Sequence, residues 1–243
     1  MTGSNGLVRW RSRRFRVALI ALILISTGLA VGQRRPTVPA SESAAPREPS
    51  TSDLAGFLRA LGRGIDFEPS DSPDDLASRS SVTVSGTIKE IVDGRVFGVG
   101  SSRDVEPRFL TIGILVKVEQ VLSGDRSLLA DDSVYLEISR SKDVSIQSVQ
   151  RATPVDQRVL LFLDDYSQGP KPFSLVQESS IGPRQVVFAP YTEGFLLEDR
   201  TTGAVTGGLE SIDELGPAWQ RDRASFDRFV AGLTRLNGAR RSN

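Results

Sequence analysis

Between Ser81 and Asp164, apolar and polar residues alternate with a period of two, broken by turn-forming residues, as half-buried β-strands require. In "SVTVSGTIKEIVDG" (81–94), Val82, Val84, Gly86 and Ile88 fall on one face and Thr83, Ser85, Thr87 and Lys89 on the other. Asp93-Gly94 then predicts a tight turn. "RFLTIGILVKVEQVLSGD" predicts a long second strand with Leu110, Ile112, Ile114, Val116 and Val118 inward, curving at Gly113 and ending in a Ser-Gly-Asp turn. "SVYLEI" continues with Val134, Leu136 and Ile138 inward. "RVLLFL" (158–163) is apolar on both faces, which predicts a central strand. After the Gly/Pro-rich stretch "DDYSQGPKPF", the segments "RQVVFAPY", "GFLLED" and "AVTGGLE" predict further short strands, with "EDRTTGAV" as a hairpin connection.

Helical periodicity appears at both ends of this β region. "DLAGFLRALGRG" puts Leu54, Phe57, Leu58 and Leu61 on one face, with Asp53 as a cap and Gly62 or Gly64 as the stop. "SFDRFVAGLTRLNG" lines up Phe226, Phe229, Val230, Leu233 and Leu236, with Gly238 ending the helix and the tail 238–243 frayed. Ser211 and Glu214 have the spacing of a capping box. The acidic "DFEPSDSPDD" reads as a solvated loop, because Asp71, Asp74 and Asp75 lack the spacing of an EF-hand.

The first 52 residues have a different texture. Arg9, Arg11, Arg13, Arg14 and Arg16 directly precede an uncharged apolar run, Val17 to Gly32, the pattern of an export signal or membrane anchor. Sixteen helical residues rise about 24 Å against a hydrocarbon core of about 30 Å, and the small residues Ala30 and Gly32 precede a potential cleavage point at Gln33. Both a retained anchor and a cleaved signal therefore fit; in either case the arginine-rich end stays in the cytoplasm. "SRRFR" matches a twin-arginine signal only in part. The Pro/Ser/Ala-rich stretch 33–52 has no apolar periodicity and reads as a spacer. The chain thus divides into a basic cytoplasmic segment (1–16), a transmembrane or signal helix (17–32), a disordered linker (33–52) and an exported domain (53–237) before the tail.

Composition narrows the chemistry. The chain has no cysteine and no histidine, which excludes disulfides, thiolate nucleophiles, zinc fingers and Ser-His-Asp or Cys-His catalysis. The zero net charge conceals an asymmetry. Residues 1–52 carry eight arginines and two glutamates, so the rest holds 30 − 8 = 22 basic and 30 − 2 = 28 acidic residues, a net charge of −6. A mildly acidic domain with few free aromatics does not suit nucleic acid. Only four of the basic residues are lysines, Lys89, Lys117, Lys142 and Lys171, an arginine bias consistent with a GC-rich bacterial genome.

Several short patterns carry potential chemistry. Ser139 and Lys142 match S-x-x-K, a serine activated by lysine, but they follow a strand and lack the companion S-D-N and K-T-G motifs. The pairs Asp164-Asp165, Asp131-Asp132 and Glu198-Asp199 sit where turns are predicted, and neighbouring carboxylates in a strand face opposite ways. "GVGSSR" (98–103) has neither the glycine spacing nor the lysine of a phosphate loop. Phe97, Tyr135 and Trp219 are the aromatics on which a sugar could stack, against the alternative of ordinary packing. No catalytic, cofactor-binding or metal-binding residue is assigned, and no cofactor is expected.

From Ser81 to Asp164, the succession "VTVSGTIKEIV", "VKVEQVLSGD", "SVYLEI" and "PVDQRVLLFL" resembles the barrel of netrin-like modules and tissue inhibitors of metalloproteinases. The resemblance implies an OB-like antiparallel β-barrel and an extracellular setting. The family's cysteines, through which its inhibitors engage a protease zinc, are missing here, so inhibition is not implied. The expected fold is mainly β: an OB-like barrel with extra strands, a short N-terminal helix and a C-terminal amphipathic helix, preceded by the anchor or signal helix. The expected role is a membrane-anchored binding or structural module of the bacterial cell envelope. Its partners would be the membrane and an envelope protein or glycan. The alternatives are an envelope enzyme using carboxylates or Ser-Lys, and an oligosaccharide-binding domain.

Overall fold

The computed structural model describes residues 49–62, 69–99 and 106–241. The basic segment, the apolar run and most of the linker lie outside this range. Among the described residues, no helix is long and apolar enough to cross a membrane.

The described residues are mainly β, as expected, with seven strands in one sheet: β1 (Val82–Val99), β2 (Glu106–Gly124), β3 (Ser133–Arg140), β4 (Arg158–Asp165), β5 (Ser174–Gln177), β6 (Phe188–Glu198) and β7 (Val205–Gly207). Among the described residues, four α-helices accompany them: α1 (Thr51–Gly62), α2 (Pro73–Arg79), α3 (Ile146–Ala152) and α4 (Phe226–Arg241). Strand pairing runs β2-β3-β6-β4-β1, and β1 pairs with β2 again, so the hydrogen-bonded path closes into a ring. The sheet is mixed, which corrects the expectation of purely antiparallel pairing: β3 and β6 run parallel and meet at one register pair, Leu136 with Phe188. That single pair is the most sparsely bonded join of the ring.

β1 and β2 are long because they coil. Register shifts along their ladder turn β1 from β4, which it pairs through Val82–Thr87, to β5, which it pairs through Val96–Gly98. Asp93-Gly94 makes no turn; β1 runs through it. A Cβ on Gly94 would lie 2.1 Å from Thr111 Oγ1, so the glycine permits a close strand crossing.

Two apolar layers follow from strand alternation. Inside the ring, Val82, Val84, Ile112, Ile114, Val116, Val134, Leu136, Val159, Leu161, Leu163, Phe195 and Leu197 pack with Leu54 and Leu58 of α1 and with Ile146 and Val149 of α3. Leu160 and Phe162 of β4 point the other way, into a second layer with Leu76 of α2, Trp219, and Phe226, Phe229, Val230 and Leu233 of α4. "RVLLFL" is apolar on both faces because β4 separates these layers.

Helix boundaries follow local caps. Ser50 and Asp53 cap α1 reciprocally, with the Ser50 amide donating to Asp53 Oδ2 (3.0 Å) and the Asp53 amide to Ser50 Oγ (3.2 Å). The expected loop at 66–75 contains the start of α2: Ser72 Oγ accepts from the Asp75 amide and Pro73 opens the first turn. Ser211 makes no side-chain cap; a 3-10 turn, Ile212–Glu214, stands there. The second half of "RQVVFAPY" and most of "GFLLED" form a single strand, β6, with Arg184 to Val187 outside it; its bulge sets Leu161 opposite Phe195 and Leu163 opposite Pro190. α4 continues past Gly238 to Arg241, so the glycine does not end it.

Candidate functional site

On the outer side of β1, β2 and β3, the strand pattern places charged residues where solvent would be expected, yet they are buried. The Arg95 and Glu137 side chains are 7% and 0% exposed. Glu137 takes the Arg95 backbone amide on Oε1 (2.9 Å) and Arg95 Nε on Oε2 (2.9 Å). The other guanidinium nitrogens donate to the Ser167 carbonyl (2.8 Å) and the Tyr166 carbonyl (2.9 Å), tying the segment after β4 to β1. The guanidinium also lies over the rings of Phe97 and Tyr166, at 5.0 and 5.8 Å.

Tyr135 completes this network. Its Oη donates to Glu137 Oε1 (3.0 Å) and stands 2.9 Å from Ser179 Oγ. The ring fits because position 113 is glycine: a Cβ there would be 2.2 Å from Tyr135 Oη. Gly113 therefore accommodates an aromatic ring. Burial pushes the Tyr135 phenol well above its ordinary value of 10.0, and the Glu137 charge pushes the same way. Burial, reinforced by Glu137, pushes Tyr166 up to about 12.

Beside Tyr135, at the sparse β3–β6 join, lies a cavity of about 240 Å³. Its apolar walls are Leu115, Leu128, Leu129, Val186 and Phe188; Ser127, Ser133, Tyr135, Arg184 and Gln185 supply polar atoms. Arg184 is exposed and lies 5.9 Å from the Tyr135 ring centroid. Among the described residues it has no carboxylate partner. Of the acids beside the cavity-lining segment, Asp132 pairs with Arg126 at 3.0 Å, and Asp125 accepts from the Ser127 amide at 2.8 Å. Ser127 holds the Asp125 carboxyl below its usual range.

The residues singled out in the sequence do not converge. Ser139 lies within β3, opposite Thr111, and Lys142 in the turn beyond that strand, so they do not share a helical turn. Asp164 accepts from Ser81 Oγ (2.6 Å), and Asp165 accepts from the Ser167 amide and hydroxyl (2.8 and 2.6 Å). Those Ser167 bonds hold the Asp165 carboxyl below its usual range. Asp131 and Asp132 occupy left-handed turn positions, φ 50° and 52°. Glu198 pairs with Arg158, and Asp199 accepts from the Thr201 and Thr202 amides. Asp75 pairs with Arg79, and no cluster of three or more acidic side chains suited to a metal occurs among the described residues. Of "GVGSSR", Gly98 and Val99 belong to β1 and the rest lies outside the described residues.

Phe97, Tyr135 and Trp219 are all buried. Trp219 packs edge-on to Phe162 at 6.2 Å and donates its indole N–H to the Ser70 carbonyl (2.9 Å). Of the three, only Tyr135 lines the cavity. Arg95, Glu137 and Arg184 carried no sequence signal; the cavity arises from the fold. No protein-family model, curated protein or solved structure matches the chain.

Proposed function

We propose that this chain is an exported, membrane-anchored binding module of the bacterial cell envelope, with an OB-like barrel as its frame and the β3–β6 cavity as its binding site. The arginine cluster before the apolar run 17–32, followed by a Pro/Ser/Ala-rich spacer, supports export with the N-terminus in the cytoplasm. The ring order β1-β2-β3-β6-β4, its one parallel join and the position of α3 between β3 and β4 fit a five-stranded OB-like barrel to which β5 and β7 are additions. This reading also fits the resemblance to netrin-like modules.

The observation that carries the binding reading is the convergence at the cavity of apolar walls, a rigidly held phenol and an unpaired guanidinium. Catalysis would need a nucleophile or base meeting its partners, and the candidate serines and carboxylates are instead engaged in turns and ladders.

Reporter fusions after Ser52 test the placement: a reporter active only outside the cytoplasm reads positive, and an active cytoplasmic reporter overturns export. Peptide, ester, glycoside and phosphoester panels test the binding role. Turnover that disappears in Ser139→Ala, Lys142→Ala or Asp164→Asn would replace it with the enzyme reading.

A further inference from the structure

We infer that the cavity at the β3–β6 join takes a small amphipathic carboxylate: one aromatic or compact apolar body in the cavity, with its carboxylate on Arg184. Size sets the first limit. An apolar cavity of about 150 Å³ holds benzene, so 240 Å³ holds one ring with a short acidic substituent.

Wall chemistry sets the second limit. Leu115, Leu128, Leu129, Val186 and Phe188 form a side that offers no side-chain hydrogen bond, while Ser127, Ser133, Tyr135, Arg184 and Gln185 supply polar atoms, so a ligand polar all round would leave part of its surface desolvated without compensation. A ligand with an apolar body and a polar group turned toward Arg184 fits these walls.

Charge sets the third. Arg95 and Glu137 neutralise each other, Asp132 is held by Arg126, and Asp125 caps its own turn, leaving Arg184 as a cation lining the cavity with no carboxylate partner among the described residues. A guanidinium binds a carboxylate through two parallel N–H bonds, a geometry that neither an alcohol nor an amide can match. Tyr135 is already fixed by Glu137 and by the space left at Gly113, so the ligand meets a preformed wall and little is lost in ordering it.

The inference rests on the binding-module reading, and the two fail separately: the reporter fusions and substrate panels leave the ligand untested, and a flat titration leaves topology untouched. The experiment titrates the purified full-length chain, in a non-ionic detergent, with phenylacetate and with its neutral isostere phenylacetamide, followed by calorimetry and ligand-observed NMR. Phenylacetate should saturate with Kd below about 1 mM, and phenylacetamide should bind at least about tenfold more weakly. Arg184→Gln should weaken phenylacetate at least about tenfold while leaving phenylacetamide unchanged, because only the charged contact is removed. Val186→Trp should abolish binding of both by filling the cavity. Should that variant fail to fold, Arg184→Gln carries the test alone, since its side chain is exposed and its melting temperature should match the parent. No saturation up to about 10 mM, equal affinity for acid and amide, or indifference of phenylacetate to Arg184→Gln would each overturn the inference.

Discussion

The two sides of the β1–β2–β3 sheet solve burial in opposite ways. Inside the ring the buried side chains are aliphatic or aromatic, and packing alone holds them. Outside, the sheet buries an ion pair, a phenol and several hydroxyls, which survive there because their polar atoms have partners, with the buried Thr83 hydroxyl as the exception. Thr111 belongs to this outer set, donating from Oγ1 to the Arg95 carbonyl at 2.8 Å. Apolar burial stabilises in rough proportion to area, whereas a buried ion pair contributes little net stability and becomes costly only when one partner is lost. The inner layer therefore holds the fold, and the outer network positions Arg95, Tyr135 and the segments that border the cavity.

The largest effect should come from charging the inner layer. Val116 is fully buried, and Val116→Asp places an unpaired carboxylate there at a cost of several kcal/mol against a total stability of about 5 to 15 kcal/mol. Circular dichroism should show the variant unfolded at ambient temperature; a cooperative melt near that of the parent would put Val116 on the wrong face.

Removing one charge of the outer pair should rank next. Glu137→Leu strands Arg95 and should cost about 3 to 5 kcal/mol, read as a fall in the urea midpoint with an unchanged m-value. A loss below about 1 kcal/mol would mean that water already reaches Arg95.

A smaller effect separates the layers by pH. Tyr135 and Tyr166 hold their protons more tightly folded than unfolded. Their contribution is therefore complete below the ordinary phenol value of 10.0 and is lost as pH rises through the folded values, about 12 for Tyr166. Stability should fall from about pH 10 to about pH 12, and Tyr135→Phe should lessen that fall while costing about 1 kcal/mol at neutral pH. An unchanged alkaline slope in Tyr135→Phe would show that its phenol is not in the buried network. Smallest of all, Lys117→Asp, one residue from Val116 but exposed, should shift stability by no more than about 0.5 kcal/mol.

The inner layer was legible in the sequence because alternation reports burial on one face: Ile112, Ile114 and Val116, and likewise Val134, Leu136 and Ile138, point inward as their spacing demands. The outer network was not legible. Glu137 holds the polar position of "SVYLEI", and that position reads as solvated unless other segments cover it; here the backbone at Tyr166 and Ser167 does so through Arg95. Arg95 and Glu137 are separated by 42 residues, and no local pattern links them. Asp93-Gly94 misled because glycine serves turns and close crossings alike, and Thr111 selects the crossing here. At α2 the signal was present, Ser72 three residues before Asp75 with proline between, but the acidic composition obscured it. β5 gave no alternation to read because all four of its residues are exposed.

Whether the outer network is a single positional unit is tested most directly by a double-mutant cycle on Arg95→Met and Glu137→Leu, with melting temperatures of the parent, both single variants and the double variant. Each single change leaves one buried charge without its partner, and the double change removes both charges, though the Tyr166 and Ser167 carbonyls then lose their donors. The double variant should melt below the parent but above either single variant. A double variant that melts at or below the less stable single would contradict this, because the two side chains would then contribute independently.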